Sequence, residues 1–315
     1  MVRKTALIAL LVFFTTGITG CRDSDAPRKV NLEKRETLPQ QVEPHVSGKP
    51  LRIAVGGMIT PREGFAYYRE FLDYIGAKAG RKIEFIDREK YEEVNQLIRS
   101  GDIDVAFVCA GPYVDGHAAF GMELLAAPQA YGKSVYYSYI IAAKDSPIVR
   151  FEDLRGKVFA FADPDSNSGR LVPEYMLAVM NETPDGFFKR YIFTYAHDKS
   201  IKAVAEGIVD GAAVDSLIWD YADKTNPQYT KMTKIIRKSP PYGIPPVVVR
   251  PGLDPGMKSM LKKIFLHAHE DPAGREIMKK MMIDKFVVIQ DDAYNSVREM
   301  KSWVAQQRKK GTQAK

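Results

Sequence analysis

From residue 51 onward, short apolar runs alternate with stretches in which apolar residues recur every three or four positions. A short apolar run between polar or small residues predicts a buried strand, whereas the spacing of three and four predicts a helix that packs on one face. In the first part of this segment the pattern predicts strands at 51–55, 82–86 and 103–109 and helices at 62–79 and 91–100.

A second alternating set follows a longer extended run at 135–143. It predicts strands at 158–162, 191–195 and 211–214 and helices at 171–180, 200–206 and 216–223. Another extended run, at 246–250, ends this set. The remaining pattern predicts helices at 256–268 and 271–281, a strand at 285–289 and a last helix from 291.

Alternation of strands and helices is typical of a mostly parallel sheet with helices on both faces. We therefore expect an α/β fold with two doubly wound lobes, joined by two crossing hinge strands in the extended runs. The first lobe would be discontinuous, at 51–140 and 247–305, and the second would span 141–246. The basic residues 306–315 would form a disordered tail.

The first 21 residues have the pattern of a secretory leader. Arg3 and Lys4 precede an apolar stretch at 6–18 that is too short to span a bilayer as a stable helix. The stretch ends in an aliphatic residue, a small residue and Gly before Cys21, which resembles a bacterial lipobox. We expect Cys21 to be lipidated; the alternative is a soluble export signal followed by a chance cysteine. Residues 22–50 are polar and contain prolines, so they predict a flexible tether.

Charge and cysteine content narrow the function. The formal net charge of +7 is spread along the chain, and no basic run is interleaved with aromatic residues. This pattern argues against nucleic acid and is compatible with an anionic small ligand or a membrane surface. Cys109 is the only cysteine besides Cys21, so no intrachain disulfide is expected in a lipidated protein. Cys109 ends an apolar run and is expected to be a buried small hydrophobic residue.

A loop rich in small and hydroxyl residues lies between the strand at 158–162 and the helix at 171–180. Its sequence, DPDSNSG at 163–169, brings Ser166, Asn167 and Ser168 to a helix start. Backbone N–H groups and the positive end of the helix dipole favour a bound oxyanion there. Ser, Asn and Asp also precede helices simply because they cap them, so capping without a ligand remains an alternative.

Several phrases resemble one family, the phosphate, phosphite and phosphonate-binding components of ABC transporters. The phrase FEDLRGK at 151–157 is common in type II periplasmic binding proteins, and the 163–169 loop with Pro173 resembles that family's ligand loop. The resemblance extends over GDIDVA at 101–106, GPY at 111–113, His197 and GIVDGAAVD at 207–215. It covers about residues 51–300 and implies a type II periplasmic binding protein fold.

The resemblance implies roles for particular residues. In the family, a Ser-x-Ser loop holds the oxygens of the phosphorus group, and Ser166, Asn167 and Ser168 stand at those positions. Gly169 would let the backbone approach the ligand. His197 stands where the family has a ligand-contacting His; it would donate to an oxygen, in its charged form if the bound anion raises its pKa. Asn167 replaces the usual Thr or Ser, and Tyr195 with Ala196 replaces a usual Gly-Ser.

Further candidates come from strand ends and from the other lobe. Asp215 follows an apolar strand and would accept a hydrogen bond from a P–OH or an amine, or would cap the helix at 216–223. Tyr113 and Tyr137 are expected to contact the ligand from the first lobe and the crossing strand, and Gly111 and Thr60 through their loops. In an extended strand Tyr136 faces away from Tyr137.

The resulting expectation is a lipid-anchored binding protein that captures a small phosphorus oxyanion between its lobes and delivers it to an ABC permease. An alternative is a sensor module that presents the ligand to a membrane signalling protein. A less favoured one is a hydrolase with Ser166 or Ser168 as nucleophile and His197 as base. We expect no cofactor and a monomer. We also expect no metal site, because His267 and His269 have the wrong spacing for two ligands on one helix face.

Overall fold

The computed structural model describes residues 48–56 and 61–313. The expectations for the leader, Cys21, most of the tether and Thr60 lie outside these residues. The described strands are β1 Leu51–Val55, β2 Ile83–Asp87, β3 Val105–Phe107, β4 Glu123–Gln129, β5 Val135–Tyr136, β6 Ser138–Ala143, β7 Val158–Phe161, β8 Arg190–Phe193, β9 Gly211–Asp215, β10 Thr233–Lys238, β11 Tyr242–Gly243, β12 Val247–Val249 and β13 Lys285–Val287.

Helices connect most of these strands. They are α1 Pro61–Ala79, α2 Tyr91–Ser100, α3 Ala110–Phe120, α4 Val172–Val179, α5 Pro184–Phe187, α6 His197–Ala205, α7 Ser216–Thr225, α8 Pro255–His267, α9 Pro272–Lys280 and α10 Asn295–Gln313. Among the described helices, none is both long enough and apolar enough to cross a membrane.

Two sheets form two lobes. The first sheet has the order β13-β4-β12-β3-β1-β2 and the second β10-β6-β9-β7-β8. In each sheet three neighbouring strands are parallel, namely β2, β1 and β3 in the first and β8, β7 and β9 in the second. Antiparallel strands extend both sheets. The expected α/β fold of two doubly wound lobes is confirmed.

Each sheet is buried on both faces, which explains why its strands are nearly continuous apolar runs. Ile53 and Val105 pack into one cluster with helices α1 and α8, whereas Ala54 and Ala106 pack into a second cluster on the opposite face. The second lobe repeats this arrangement with separate clusters on its two faces. The carboxyl ends of the parallel strands therefore remain the natural place for polar groups.

The crossing between the lobes differs from the expectation in one of its two segments. Strand β5 pairs with Tyr242–Gly243, so these residues form the second crossing strand. The apolar run at 246–250 instead belongs to the first sheet, where Val247–Val249 lies between β3 and β4. Its side chains are fully buried, which explains why its apolar pattern stood out more than that of the crossing strand.

Two further expectations require correction. Gly111, which we expected in a loop, lies in the first turn of helix α3. Pro112 is tolerated there because the N–H groups of a first helical turn have no partner within the helix. Residues 306–313 continue helix α10 rather than a disordered tail. An ion pair helps to hold this end of helix α10, because Arg308 donates to the carboxylate of Glu174 over 2.6 Å. Strands β4 and β10 were not predicted.

Candidate functional site

The loop after strand β7 leads into a wide helical turn. Residues Asn167–Leu171 form a π-helical segment, in which the N–H of Leu171 donates to the carbonyl of Ser166 over 2.9 Å. Such segments are rare and often occur at functional sites. The side chains of Ser166, Asn167 and Ser168 are fully buried. The loop therefore presents polar groups to the interior of the protein.

Ser166 and Ser168 have different roles in this turn. The Ser166 hydroxyl accepts a hydrogen bond of 3.0 Å from the N–H of Gly169, so it caps the segment. The Ser168 hydroxyl is buried and has no hydrogen-bond partner among the described atoms, and its carbonyl accepts from Ser138 over 2.6 Å. The capping interpretation thus holds for Ser166, while Ser168 has a hydroxyl group available for a ligand.

Gly169 occupies a position that admits no side chain. A Cβ there would lie 2.5 Å from the Cβ of Ala162 and 2.9 Å from Cε1 of His197. Because real Cβ atoms do not approach this closely, only glycine allows the turn to pack against the histidine. The loop and His197 are therefore adjacent.

His197 begins helix α6 and is fully buried. Its Nδ1 accepts a hydrogen bond of 3.0 Å from the backbone N–H of Asp215. Burial lowers the pKa of His197 to about 3, so the ring is neutral at physiological pH. An accepting Nδ1 assigns the proton to Nε2, which is buried and has no partner among the described atoms. His197 is thus a neutral donor in the unliganded protein, rather than a cation.

Asp215 ends strand β9 and is buried to 1% exposure. Its Oδ1 accepts from the N–H of Leu217 over 2.8 Å and caps helix α7, as the alternative interpretation expected. Its Oδ2 is buried without a partner among the described atoms. Burial raises the pKa of Asp215 to about 7, so the carboxyl gains or loses a proton near neutral pH. One residue therefore serves as a cap and as a titratable site group.

The first lobe contributes Tyr91, the first residue of helix α2. Its side chain is 2% exposed, and its hydroxyl has no partner among the described atoms. Its backbone N–H donates to Oδ2 of Asp163 in the second lobe over 3.2 Å. Burial raises the pKa of Tyr91 well above 10; Cys109, Asp163 and Asp215 raise it further, and the Ser166 hydroxyl lowers it.

Asn167 is oriented by a tyrosine from the crossing strand. Its Nδ2 donates to the hydroxyl of Tyr136 over 2.9 Å, and its Oδ1 is buried without a partner among the described atoms. Tyr136 is itself fully buried. A carboxamide at this position therefore has a structural partner that a shorter Ser or Thr would not reach.

The structure does not bring all of the expected residues into this cluster. The ring of Tyr137 lies under the ammonium of Lys238, 3.6 Å from its centre, on the other side of the strand from Tyr136. Tyr113 is buried within the first lobe, and its hydroxyl donates to Asp291 over 2.6 Å. Tyr136 and Tyr91 thus occupy the places that we expected Tyr137 and Tyr113 to take.

Gly111 allows the two lobes to approach each other. A Cβ on Gly111 would lie 2.2 Å from the carbonyl oxygen of Asp165 and 3.2 Å from the amide nitrogen of Asn167. Its backbone therefore packs against the loop of the other lobe. The expected contact between Gly111 and a ligand stays a prediction.

Of the eight buried side-chain N and O atoms without a hydrogen-bond partner among the described residues, three belong to Asn95, Arg170 and His269, and the other five belong to the residues of this cluster. They are buried, they come from both lobes, and they lie at or near the ends of strands or the starts of helices: Tyr91 Oη, Asn167 Oδ1, Ser168 Oγ, His197 Nε2 and Asp215 Oδ2. Buried polar groups almost always have hydrogen-bond partners. Five such atoms near one cleft indicate a binding site for a small polar molecule. Within the described ranges, no group of His, Cys, Asp and Glu could hold a metal ion.

Comparison with known proteins shows which family the chain belongs to. A family model described as the periplasmic substrate-binding protein of phosphonate ABC transporters matches residues 54–294. The chain belongs to this family. It is 29% identical to the phosphonates-binding periplasmic protein of Escherichia coli over 218 residues, which cover 67% of this chain and 64% of that protein.

Other members of the phosphonate-binding family are also similar. The phosphate-import protein PhnD of Mycolicibacterium smegmatis is 28% identical over 234 residues, which cover 70% of this chain and 65% of that protein. Both curated relatives are thus matched over less than two thirds of their own length. The crystal structure of a binding protein component of an ABC phosphonate transporter from Pseudomonas aeruginosa has a TM-score of 0.79. It is 24% identical and is matched over 83% of this chain and 88% of that chain, which shows the type II periplasmic binding protein fold.

A departure from the family's pattern has a visible structural cost. Tyr195 stands where the family usually has glycine, and its φ of 59° lies in the left-handed region that favours glycine. The Tyr195 ring lies 5.7 Å from the ammonium of Lys90 in the other lobe. The side chain thus adds a contact between the lobes that glycine would not provide.

Sequence reasoning missed Tyr91, Tyr136 and Asp163. A usable signal existed for Tyr91, because it follows strand β2 at the carboxyl edge of the first sheet, where ligand groups collect. Asp163 is the first residue of the loop at 163–169, two residues after the end of strand β7. Tyr136 could not be separated from Tyr137 without knowing which face of the crossing strand points inward.

Proposed function

We propose that this protein captures a small phosphorus oxyanion, namely a phosphonate, phosphite or phosphate, in the cleft between its lobes and delivers it to an ABC permease. The observation that carries this proposal is the set of buried polar atoms without a partner, which includes the Ser168 hydroxyl, the Nε2–H of His197 and the Tyr91 hydroxyl. Each of these groups can donate a hydrogen bond to an oxyanion.

The donors at this site are neutral. The hydroxyls of Ser168 and Tyr91 and the imidazole of His197 carry no formal charge. Ser168 lies in the segment that leads into helix α4, and the dipole at a helix start favours an anion. Preorganised dipoles in a buried site stabilise an anion without a desolvated counter-ion. Reversible capture suits a protein that must release its ligand to a permease.

Asp215 would select among protonation states of the ligand. Its buried Oδ2 can face an anion only if a proton lies between them, either on the carboxyl or on a P–OH group. With a pKa of about 7, the carboxyl is partly protonated at neutral pH. A ligand that has lost its last proton and meets an ionised Asp215 would be repelled.

Capture would couple to closure of the lobes. In addition to the bond from Tyr91 to Asp163, Lys199 of the second lobe pairs with Glu89 of the first over 2.5 Å. A ligand that touches Tyr91 on one side and Ser168 on the other stabilises the closed arrangement, because an open form cannot make both contacts.

Membrane attachment completes the proposal. A lipidated Cys21 and a tether at 22–50 would hold a monomeric binding protein near its permease on the outer side of the cytoplasmic membrane or within the periplasm. Membership of the phosphonate-binding family supports the export and the transporter partner. Mass spectrometry of the membrane fraction tests this directly: a diacylglyceryl adduct on Cys21 supports the anchor, and an unmodified cleaved N-terminus contradicts it.

Binding explains the site better than hydrolysis does. Nδ1 of His197 accepts a hydrogen bond from the backbone N–H of Asp215, so the proton of the neutral ring is on Nε2, and Nε2 cannot remove a proton from a serine. A pKa of about 3 makes the imidazole a poor base as well. The family consists of binding proteins, which supports the same conclusion.

Calorimetry with an anion panel tests the proposal. We expect at least one of phosphate, phosphite and methylphosphonate to bind, and sulfate to bind more weakly at a pH above 7, where it brings no proton to an ionised Asp215. Failure of all three phosphorus anions to bind would contradict the proposal. Turnover of a phosphomonoester by the purified protein would favour the enzyme instead.

A further inference from the structure

An apolar cavity lies beside the oxyanion site. It has a volume of about 60 Å³, which suits a short substituent, and it is bounded by helix α7, the crossing segment and the first lobe. The walls are mainly aliphatic, aromatic and thioether groups, among them Leu217, Ile218, Ile244, Met282, Ile283 and Phe286.

Asp215 connects this cavity to the oxyanion site. It is the only charged side chain among the described residues that line the cavity, and its unpartnered Oδ2 belongs to the cluster of site atoms. Ile218 forms a second connection, because it lines the cavity and also packs against Tyr91 and Cys109. A ligand whose phosphorus group contacts Asp215 would therefore direct its substituent toward apolar walls.

The outer wall of the cavity is built from two residues in an unfavourable backbone conformation. Tyr131 has a φ of 52° and Met282 a φ of 55°, and the Tyr131 hydroxyl donates to the Met282 sulfur over 3.3 Å. Such left-handed residues cost free energy and collect at functional sites. The ammonium of Lys224 from the other lobe lies 4.1 Å from the centre of the Tyr131 ring. This wall is therefore in place when the lobes are together.

We propose that the cavity receives a short uncharged hydrocarbon substituent, so that this protein prefers alkylphosphonates of two or three carbons over inorganic phosphate and over aminoalkylphosphonates. The inference rests on the proposed function. Each methylene moved from water into an apolar wall gains about fourfold in affinity. An ammonium in the same place would lose its hydration among mainly apolar walls, with Asp215 as the one carboxylate among the described lining residues.

Two ligands of nearly equal shape provide the test. n-Propylphosphonate and 2-aminoethylphosphonate differ by a methyl against an ammonium at the end of the chain. By calorimetry at pH 7 we expect n-propylphosphonate to bind about tenfold more tightly than methylphosphonate, and 2-aminoethylphosphonate to bind at least about tenfold more weakly than n-propylphosphonate.

Variants of the wall separate the cavity from the oxyanion site. Ile283→Trp fills the cavity from the first lobe, so the ratio of n-propylphosphonate to methylphosphonate affinity should fall to about one. Val288→Trp is the matched control, because Val288 is 51% exposed and outside the cavity lining; it should keep the wild-type ratio. If circular dichroism shows that Ile283→Trp is misfolded, Leu217→Asn replaces it as the test. Asn has a side chain of similar shape to Leu but makes the wall polar, so the affinity ratio should fall at least threefold.

The outcomes distinguish the two proposals. If no phosphorus anion binds, the proposed function fails. If methylphosphonate or phosphate binds and lengthening the chain gains nothing, the cavity inference is overturned while the function stands. Tighter binding of 2-aminoethylphosphonate than of n-propylphosphonate, or an unchanged ratio in both wall variants, overturns the inference as well.

Discussion

The backbone N–H of Asp215 donates to Nδ1 of His197 over 3.0 Å, and this one bond sets the chemistry of both side chains. It holds the imidazole as the tautomer with its proton on Nε2. It also joins the end of strand β9 to the start of helix α6. Nε2 of His197 and Oδ2 of Asp215 both have no partner among the described atoms. A neutral donor and a titratable carboxyl therefore lie side by side.

The two serines of the ligand loop should respond differently to substitution. Ser168→Ala removes one hydroxyl donor to an anion, worth about 1.5–3 kcal/mol, so affinity for the bound phosphorus anion should fall about tenfold to a hundredfold. The free energy of unfolding without ligand should stay within about 0.5 kcal/mol, because Ser168 Oγ has no partner to lose. Calorimetry and urea denaturation measure the two quantities.

Ser166→Ala should lower the free energy of unfolding by about 1 kcal/mol, because its hydroxyl caps the π-helical turn. Thr183→Ala is a matched control, since Thr183 caps a short helix of the same lobe by accepting from Gly186 over 3.2 Å and lies outside the site. It should lose similar stability and keep the wild-type affinity. If Ser168→Ala behaves like Thr183→Ala, the loop is only a cap.

His197 should make stability depend on acid. Its pKa is about 3 in the folded protein against an ordinary value of 6.5, so the unfolded chain binds a proton that the folded protein rejects. Stability is therefore lost as pH falls below 6.5, by about 2 kcal/mol between pH 7 and 5 from this group. His197→Gln keeps a neutral donor and should lose about 2 kcal/mol less over the same range in urea titrations. An identical pH dependence in both proteins would show that His197 is not buried in its neutral form.

Asp215→Asn should stabilise the protein and impair its selectivity. The folded pKa of about 7 lies above the ordinary 3.8, so burial of this carboxyl costs stability as pH rises from 3.8 to 7. Asn keeps the cap on Leu217 without the charge, and the variant should be more stable by up to about 4 kcal/mol at pH 8, with the difference vanishing below pH 4.

The same variant tests the role of Asp215 in binding. Wild-type affinity for the phosphorus anion should fall as pH rises above 7, because the protonated carboxyl is the form that tolerates an anion. Asp215→Asn should flatten this dependence. Calorimetry at pH 6, 7 and 8 measures it, and a wild-type affinity that does not change over this range would leave Asp215 as a helix cap alone.

Closure of the lobes should be visible in scattering. Ligand should lower the radius of gyration of the wild type, because only the closed arrangement joins Tyr91 to Asp163 and Glu89 to Lys199. Asp163→Ala removes the acceptor for Tyr91 and should weaken ligand affinity about tenfold, since the closed form becomes less favourable. Asp153→Ala is the control, because Asp153 accepts from Val149 and Arg150 within one lobe. Equal affinity in the two variants would show that the bond between the lobes does not support closure.

The sequence by itself determined the parallel strands of both sheets and the loop at 163–169. Strands such as β1 and β7 are apolar on both faces, and that pattern is local, so it can be read without the fold. The loop at 163–169 was equally visible, because small and hydroxyl residues between a strand and a helix permit few other structures. Asp215 could be placed for the same reason, since it ends strand β9 directly before helix α7, whereas His197 was predicted from its resemblance to the family's ligand-contacting His.

Only the tertiary structure decided which side chains meet at the site. Tyr136 and Tyr137 are neighbours in one extended segment, and pairing of β5 with β11 turns Tyr136 inward and leaves Tyr137 beside Lys238. Tyr91 reaches the cluster from the first lobe, and nothing in the sequence indicates that it lies next to Asp163 of the second lobe. Both results depend on how two lobes pack against each other, and long-range packing leaves no periodic trace in the chain.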